Sequence, residues 1–416
     1  MKRVYFKTFG CRTNQFDTQV MMSKLKDFRL TMSENSADMI VVNSCTVTNG
    51  ADSSVRAYLN GIKRRRPKVK IILTGCGAYS KGEELLNSKK VFGVIGHSEK
   101  ESINVALKKS TPFYEIGDLK HIDTTIVDKF IGKSRAFIKI QEGCNFKCSY
   151  CIIPSVRGKA RSHKESNILT QIEKLSSNGF GEFILTGTNV GSYGRDTNSS
   201  MAKLIKKISR IRGVRRIRIG SIEPIQIDSE FKELLNEPFM AKHLHIALQH
   251  TSDKMLEVMN RRNRFKSDMK LLEEISSYGY AIGTDYIVGH PQEDDLLWSE
   301  AIDRVKNLPL THIHAFTYSK RDGTASATMS GIVRGDIAKK RYRELIEIIS
   351  KKNLEFRTKH NSKLEVLLEN GRDGIYYGYD QYFNKIEVKS SNDLSGNWLL
   401  IENATVQGSK NVALFE

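Results

Sequence analysis

The chain has little proline, little cysteine and little acid. Only 7 prolines occur in 416 residues, which argues against long disordered linkers. No apolar run approaches the length a membrane-spanning helix needs. The apolar stretch in Met1-Lys2-Arg3-Val4-Tyr5-Phe6-Lys7 is far too short for a signal-peptide core. A cytoplasmic protein with no membrane partner is therefore expected. Six cysteines scattered over such a chain are a poor disulfide framework in a reducing compartment, so metal ligation is the better expectation. Acidic residues number 47 against 66 Lys and Arg, a net charge of +19. That surplus attracts polyanions at long range and favours RNA or DNA over a neutral metabolite. A surface merely kept soluble by lysine is the plainer reading. The clusters Lys63-Arg64-Arg65-Arg66, Arg215-Arg216 with Arg218, Arg261-Arg262 with Arg264, and Lys339-Lys340-Arg341 favour the specific one. Arginine stacks on bases and forks onto phosphates.

An apolar fraction of 39% builds real cores, and the length suits two or three domains. The first 100 residues alternate strands, expected at Val4–Phe9, Met39–Val42, Lys70–Leu73 and Val91–Ile95, with amphipathic helices at Gln15–Phe28 and Ser53–Arg66. That order implies an open, mostly parallel α/β sheet over residues 1–110. Cys11, Cys45 and Cys76 follow the first three strands, so they converge on the edge where parallel sheets bind ligands. Residues 111–133 read as a connector. From 134 to 356 a second β/α series has strands expected at Phe137–Ile140, Glu182–Leu185, Arg216–Ile219, His243–Ala247, Ile282–Val288 and His312–Thr317. About six such units suit a partial (β/α) barrel, with chemistry at the strand C-termini. The tail, 357–416, alternates in period two between Asn-Gly, Asp-Gly and Ser-Gly turns, as a small all-β barrel does.

The segment Cys144-Asn145-Phe146-Lys147-Cys148-Ser149-Tyr150-Cys151 spaces three thiolates on one loop. Three ligands hold three irons of a 4Fe–4S cluster and leave the fourth iron open, whereas a cluster built only for electron transfer normally takes four cysteines. An open iron can chelate the amino and carboxylate groups of S-adenosylmethionine. Zinc is the competing reading, with His163 as the closest candidate fourth ligand, but the spacing fits zinc poorly.

At this point the chain resembles the radical S-adenosylmethionine superfamily, and its flanking residues resemble the methylthiotransferase family within it. Those residues are Ile138-Lys139-Ile140-Gln141-Glu142-Gly143, Cys151-Ile152-Ile153-Pro154 with Arg157-Gly158, Leu185-Thr186-Gly187-Thr188-Asn189, Gly191-Ser192-Tyr193-Gly194, Ser221-Ile222-Glu223-Pro224 and Arg321-Asp322-Gly323-Thr324. Thr8-Phe9-Gly10-Cys11-Arg12-Thr13-Asn14, Asn43-Ser44-Cys45 and Thr74-Gly75-Cys76 are similar to the family's N-terminal cluster-binding segments, and the tail resembles its RNA-binding TRAM barrel. Cys45-Thr46-Val47-Thr48-Asn49, with Ala51 and Asp52, is most like the branch acting on threonylcarbamoyladenosine in tRNA.

The resemblance implies two 4Fe–4S clusters, one on Cys144, Cys148 and Cys151, the other on Cys11, Cys45 and Cys76. It implies that S-adenosylmethionine is cleaved at the first cluster to a 5′-deoxyadenosyl radical, which abstracts hydrogen from adenine C2 beside the anticodon. The second cluster presents sulfur, and a second S-adenosylmethionine supplies the methyl group. Tyr150, Glu223 and Gln249 are the further cofactor-binding candidates, each against a packing or structural alternative. Leu248-Gln249-His250-Thr251 and Gly289-His290-Pro291 depart from the family's common Leu-Gln-Ser-Gly and Gly-Phe. Asp285 reads as polar lining or a satisfied core group, and His243 and His245 as packing or surface groups. The implied partners are tRNA and an electron donor such as flavodoxin or ferredoxin, with a monomer as the default.

Two other targets share this chemistry, isopentenyladenosine in tRNA and an aspartate of a ribosomal protein. The latter partner is basic and would prefer an acidic tail. Here the tail carries 7 basic and 8 acidic residues, a charge of −1. Tyr376, Tyr377, Tyr379, Tyr382 and Phe383 could offer stacking faces or simply pack the barrel. A non-enzymatic iron–sulfur protein that binds RNA is the reading from a different class.

Overall fold

The computed structural model describes residues 1–415. Its N-terminal sheet is built from β1 (Arg3–Thr8), β2 (Arg29–Leu30), β3 (Met39–Ser44), β4 (Lys70–Gly75), β5 (Gly93–Ile95) and β6 (Phe113–Glu115). The spatial order is β2-β1-β3-β4-β5-β6 and every pairing is parallel. β3 is buried along its whole length, as a central parallel strand covered on both faces must be. Ile40, Val42, Ile71 and Leu73 pack on Val55, Leu59 and Ile62 of helix Asn49–Arg65. Met39, Val41 and Ile72 face the other way, onto Met21 and Ile103.

Two differences from the sequence expectation have local causes. The first helix spans Arg12–Ser23 and stops before Phe28, because Asn104 Oδ1 accepts the backbone N–H groups of Lys26 and Asp27 and turns the chain toward β2. The sheet also takes its last strand, β6, from inside the stretch expected to be a connector.

The central region begins with β7 (Ala136–Lys139). A short antiparallel pair, β8 (Gln141–Glu142) with β9 (Arg161–Ser162), then ties the two ends of the cysteine loop together. Next come β10 (Glu182–Thr186), β11 (Arg216–Ile219), β12 (His243–His245), β13 (Ala281–Val288) and β14 (His312–Thr317). The strands form two parallel three-stranded sheets, β7-β10-β11 and β12-β13-β14, joined by the bridges Ile217–Met240 and Ile222–Ile246. Sequential parallel strands in that order make an open barrel. One continuous core lies between the strands and the outer helices, with Phe183, Ile217, Leu244, Ile282 and Tyr286 meeting Ile172, Leu272, Ile302 and Leu345. Among the described residues no helix is long and apolar enough to cross a membrane.

The tail is a curled sheet of β15 (Ser362–Leu368), β16 (Ile375–Tyr379), β17 (Lys385–Lys389), β18 (Trp398–Asn403), β19 (Thr405–Gln407) and β20 (Lys410–Leu414), in the order β18-β15-β16-β17-β20-β19. Its own core is Leu364, Val366, Leu368, Ile386, Val388 and Leu399, a shape compatible with a TRAM barrel.

Arginines fasten this tail to the barrel. Glu182 is fully buried and pairs with Arg218 at 2.8 Å, with Arg216, and with Arg135 at 3.5 Å. The free ends of Arg216 donate to Glu365 O at 2.7 Å and Tyr379 O at 3.2 Å, and those of Arg218 reach Gln381 O and Asp380 O. Of the basic clusters, Arg216, Arg218, Arg261 and Arg341 are buried and their charge is consumed inside the protein, while Arg64, Arg65, Arg215, Arg262, Lys339 and Lys340 are exposed.

Candidate active site

β1, β3 and β4 end on one edge, and Cys11, Cys45 and Cys76 follow them directly. Gly10 allows this approach. A side chain there would strike Cys45 Cβ at 2.6 Å, and its φ of +90° suits glycine alone. Cys45 and Cys76 are buried while Cys11 is exposed. Burial pushes the Cys45 thiol up to about 12, with Cys76 and Cys11 adding to it. Such sulfurs become thiolates only when a cation binds them.

Cys144, Cys148 and Cys151 lie on the loop between β8 and β9, beyond the end of β7. Cys144 N donates to Gly158 O at 3.0 Å and closes the loop. Burial likewise pushes Cys151 up to about 12. Donors already aim at these sulfurs. Phe146 N lies 3.4 Å and Asn189 Nδ2 3.6 Å from Cys144 Sγ, and Arg261 Nη1 lies 3.7 Å from Cys148 Sγ. Two sets of three soft thiols, ringed by N–H donors, fit cluster ligation better than a closed zinc site. His163, the candidate fourth zinc ligand, is instead buried among Lys139, Asp123 and Glu142, whose charges act on it.

The remaining candidates divide. Glu223 stands beside the cysteine loop, where Arg261 holds it with Nη1 at 2.8 Å and Nη2 at 2.5 Å. A cleft of about 290 Å³ joins them, lined by Phe146, Cys148, Glu223, Arg261 and Arg262. Tyr150 packs against Met255, Met259 and Ile287, which favours its packing role, with the ring edge-on to His290 at 6.3 Å. Gln249 continues the line of β12 with φ +67°, its backbone paired to Asp285 O and Ile287 N. The two departures, His250 and His290, are fully buried braces. His290 Nδ1 bonds to Pro291 O, and its Nε2 lies in hydrogen-bond contact with Ser326 Oγ at 2.7 Å. Ser326 N in turn donates to Ser149 O inside the cysteine loop.

Sequence reasoning missed the most connected residue. Arg157 is buried, and its Nε donates to Cys76 Sγ at 3.1 Å, its Nη1 to Asp17 Oδ2 at 2.9 Å and to Glu142, and its Nη2 to Asn14 Oδ1 at 2.5 Å. Lys139 joins Asp17 at 2.6 Å, Asp123 at 3.1 Å and Glu142 at 3.4 Å, and Lys100 joins Asp123 at 2.7 Å. Burial alone would push Asp17 and Glu142 up. The three cations outweigh it and hold both carboxyls below the usual range. The network locks the N-terminal sheet to the barrel beside Cys76. Its sequence signals were Arg157-Gly158, Lys139 with Glu142, and Asn14, each read only as part of a motif. Arg321 adds a second lock, bonded to Thr46 O at 3.0 Å and Asp52 at 2.6 Å, on the segment just after Cys45.

Known proteins place this arrangement. Residues 3–96 match the family described as uncharacterized protein family UPF0004, and residues 138–305 match the radical SAM superfamily. A Helicobacter pylori (strain ATCC 700392 / 26695) protein named "Putative methylthiotransferase" is 53% identical over 420 residues, covering 100% of both chains. The threonylcarbamoyladenosine tRNA methylthiotransferase MtaB of Aquifex aeolicus (strain VF5) is 35% identical over 380 residues, 87% of this chain and 91% of that one. The radical S-adenosylmethionine methyltransferase TsrM from Kitasatospora setae, solved with cobalamin and a 4Fe–4S cluster bound, superposes with a TM-score of 0.59 at 14% identity. It covers 78% of this chain and 77% of that one, a likeness of fold. With both cysteine sets at strand ends and relatives matched end to end, the chain belongs to the radical S-adenosylmethionine methylthiotransferase family, enzymes that use two 4Fe–4S clusters and S-adenosylmethionine.

Proposed function

We propose that the enzyme converts N6-threonylcarbamoyladenosine beside the anticodon of tRNA to its 2-methylthio derivative. The observation that carries this reading is the presence of two separate three-cysteine sets, Cys11, Cys45 and Cys76 at the strand ends of the N-terminal sheet and Cys144, Cys148 and Cys151 on the loop beyond β7, with Arg157 donating to Cys76 Sγ at 3.1 Å. A protein that only bound RNA or carried electrons would not need a second three-thiol site. The named Aquifex aeolicus relative and the Cys45–Asp52 segment favour the threonylcarbamoyl substrate.

Cys144, Cys148 and Cys151 hold one cluster, and Cys11, Cys45 and Cys76 the other. Bound there, the clusters supply one-electron cleavage of S-adenosylmethionine and a sulfur to donate. The chain's own residues do the rest. Arg261, Asn189 and Arg157 stabilise negative charge on the ligand sulfurs. Glu223, fixed by Arg261, offers a carboxylate to the ammonium or ribose of S-adenosylmethionine. His290 and Ser326 hold the cysteine loop from behind. The reaction needs an external one-electron donor of the flavodoxin or ferredoxin kind, and the exposed side of Cys11 faces solvent for sulfur delivery.

Mass spectrometry of tRNA nucleosides from a strain lacking the gene, beside its parent, tests the reading. Loss of the methylthio-threonylcarbamoyl nucleoside, with its precursor accumulating, supports it. Loss of a different methylthio nucleoside corrects the target, and unchanged tRNA moves the substrate to a ribosomal protein.

A further inference from the structure

The inner face of the half barrel β12-β13-β14 gathers His243, His245, Gly283, Asp285, His312 and His314. Register puts them there, since His245 pairs with Gly283, Gly283 with His312, and Asp285 with His314. The opposite face of the same strands presents Leu244, Ile282, Tyr286 and Val288 to the apolar core. A side chain at position 283 would strike His245 Nδ1 at 2.8 Å and His243 Nε2 at 3.1 Å. Glycine thus keeps the middle of the histidine face open.

Three donors converge above that gap. His245 Nε2 lies 3.1 Å and His314 Nδ1 3.5 Å from the same oxygen, Asp285 Oδ1. All three ligand atoms fall within 4.8 Å of one another. Bonds of about 2.1 Å to nitrogen and oxygen put neighbouring donors about 3.0 Å apart in an octahedron and about 3.4 Å apart in a tetrahedron. The two separations from Asp285 Oδ1 match neighbouring donors in one coordination sphere. Two further observations point to a ligand. His245 is nine-tenths buried, and its Nε2 meets only Asp285 Oδ1, at 3.1 Å but without hydrogen-bond geometry. The second oxygen of Asp285 accepts from Ser221 Oγ at 2.9 Å, the outer contact that orients a metal-binding carboxylate.

We propose that His245, Asp285 and His314 form a binding site for a first-row divalent cation of the Zn2+ or Fe2+ class, separate from the two cysteine sets. Two imidazoles and one carboxylate leave coordination positions free. Those positions face a cavity of about 760 Å³ bounded by Arg12 of the N-terminal sheet, Ser221 of the barrel, and Tyr379 and Phe383 of the tail. The cation therefore meets whatever enters between the three parts of the chain, and an oxygen ligand such as a carboxylate completes its sphere.

Zinc tests the site without interference from cluster iron. Holoenzyme with both clusters reconstituted is incubated with ZnSO4, desalted, and assayed for zinc, iron and sulfide. One zinc per chain at unchanged iron and sulfide is the expected result. His314→Ala is the informative variant, because that side chain is 61% exposed and its loss leaves the core intact. It should weaken zinc binding by about 100-fold, and Ser221→Ala by about tenfold, with melting temperature without zinc unchanged. Co2+ bound in place of zinc should show visible bands that vanish in His314→Ala. Absence of stoichiometric zinc in the wild-type holoenzyme overturns the proposal. So does equal zinc retention by His314→Ala, which would assign the metal to the cysteines.

Discussion

Replacing Arg157 by lysine keeps one positive charge in the buried network and removes the fork that reaches four groups. Three buried cations, Arg157, Lys139 and Lys100, face three buried carboxylates, Asp17, Asp123 and Glu142. A lysine can keep the charge balance but cannot also donate to Cys76 Sγ and Asn14 Oδ1, both now bonded to the guanidinium. Each of these two bonds, from a charged donor to a neutral acceptor, contributes about 1–2 kcal/mol, so Arg157→Lys should cost about 2–4 kcal/mol. Arg157→Met leaves a buried carboxylate without its cation and should cost about 3–5 kcal/mol or more. A functional signature separates this from simple destabilisation. The donor at Cys76 favours the more negative, reduced form of a cluster on Cys11, Cys45 and Cys76. If the bond is stronger by about 1.4 kcal/mol in that form, its loss lowers the reduction potential by roughly 60 mV. Redox titration followed by electron paramagnetic resonance, in a Cys148→Ala background so that one cluster remains, reads the shift directly. An unchanged potential in Arg157→Lys, with normal cluster content, would refute the role assigned to this residue.

The two cysteine sets should separate by assay. Cys148→Ala abolishes 5′-deoxyadenosine formation from S-adenosylmethionine, whereas Cys45→Ala retains measurable formation and loses methylthio product. Normal product from either variant contradicts the division. Arg261→Lys releases Glu223 and the Ala247 carbonyl, and should weaken S-adenosylmethionine binding about tenfold in equilibrium dialysis. Glu182 governs the barrel–tail joint. Burial pushes its carboxyl up, but Arg218, Arg216 and Arg135 prevail and hold it down to about 2 from 4.5. The sign follows from that depression, for the stabilisation is fully present above pH 4.5 and is lost as pH falls toward 2. The difference corresponds to roughly 3 kcal/mol. Acid titration followed by limited proteolysis should release the tail first, and Glu182→Gln should release it already at neutral pH.

Much of the fold was legible because apolar runs and turn residues carry it. Met39-Ile40-Val41-Val42 reads as a buried strand and is one. The cysteine sets were legible too. Parallel strands end on a common edge, so residues that follow strands meet even when 65 positions separate Cys11 from Cys76. Individual arginines within the basic clusters misled. Arg216 and Arg218 sit in a basic string, but Glu182, which neutralises them, lies more than thirty positions away in the chain. Position along a chain says nothing of the face on which a charge emerges.

The sequence by itself determined the parallel sheet, the β/α series, the all-β tail and the six sulfurs, since each follows from local pattern or from residue type. Only the tertiary structure decided which charges are solvated and which are locked inside. It alone set Arg157 against Cys76, and brought His245, Asp285 and His314 onto one face from three strands. Those outcomes depend on register and on contacts between distant segments. Register is settled by the burial of whole strand faces, a property that no short stretch of sequence contains.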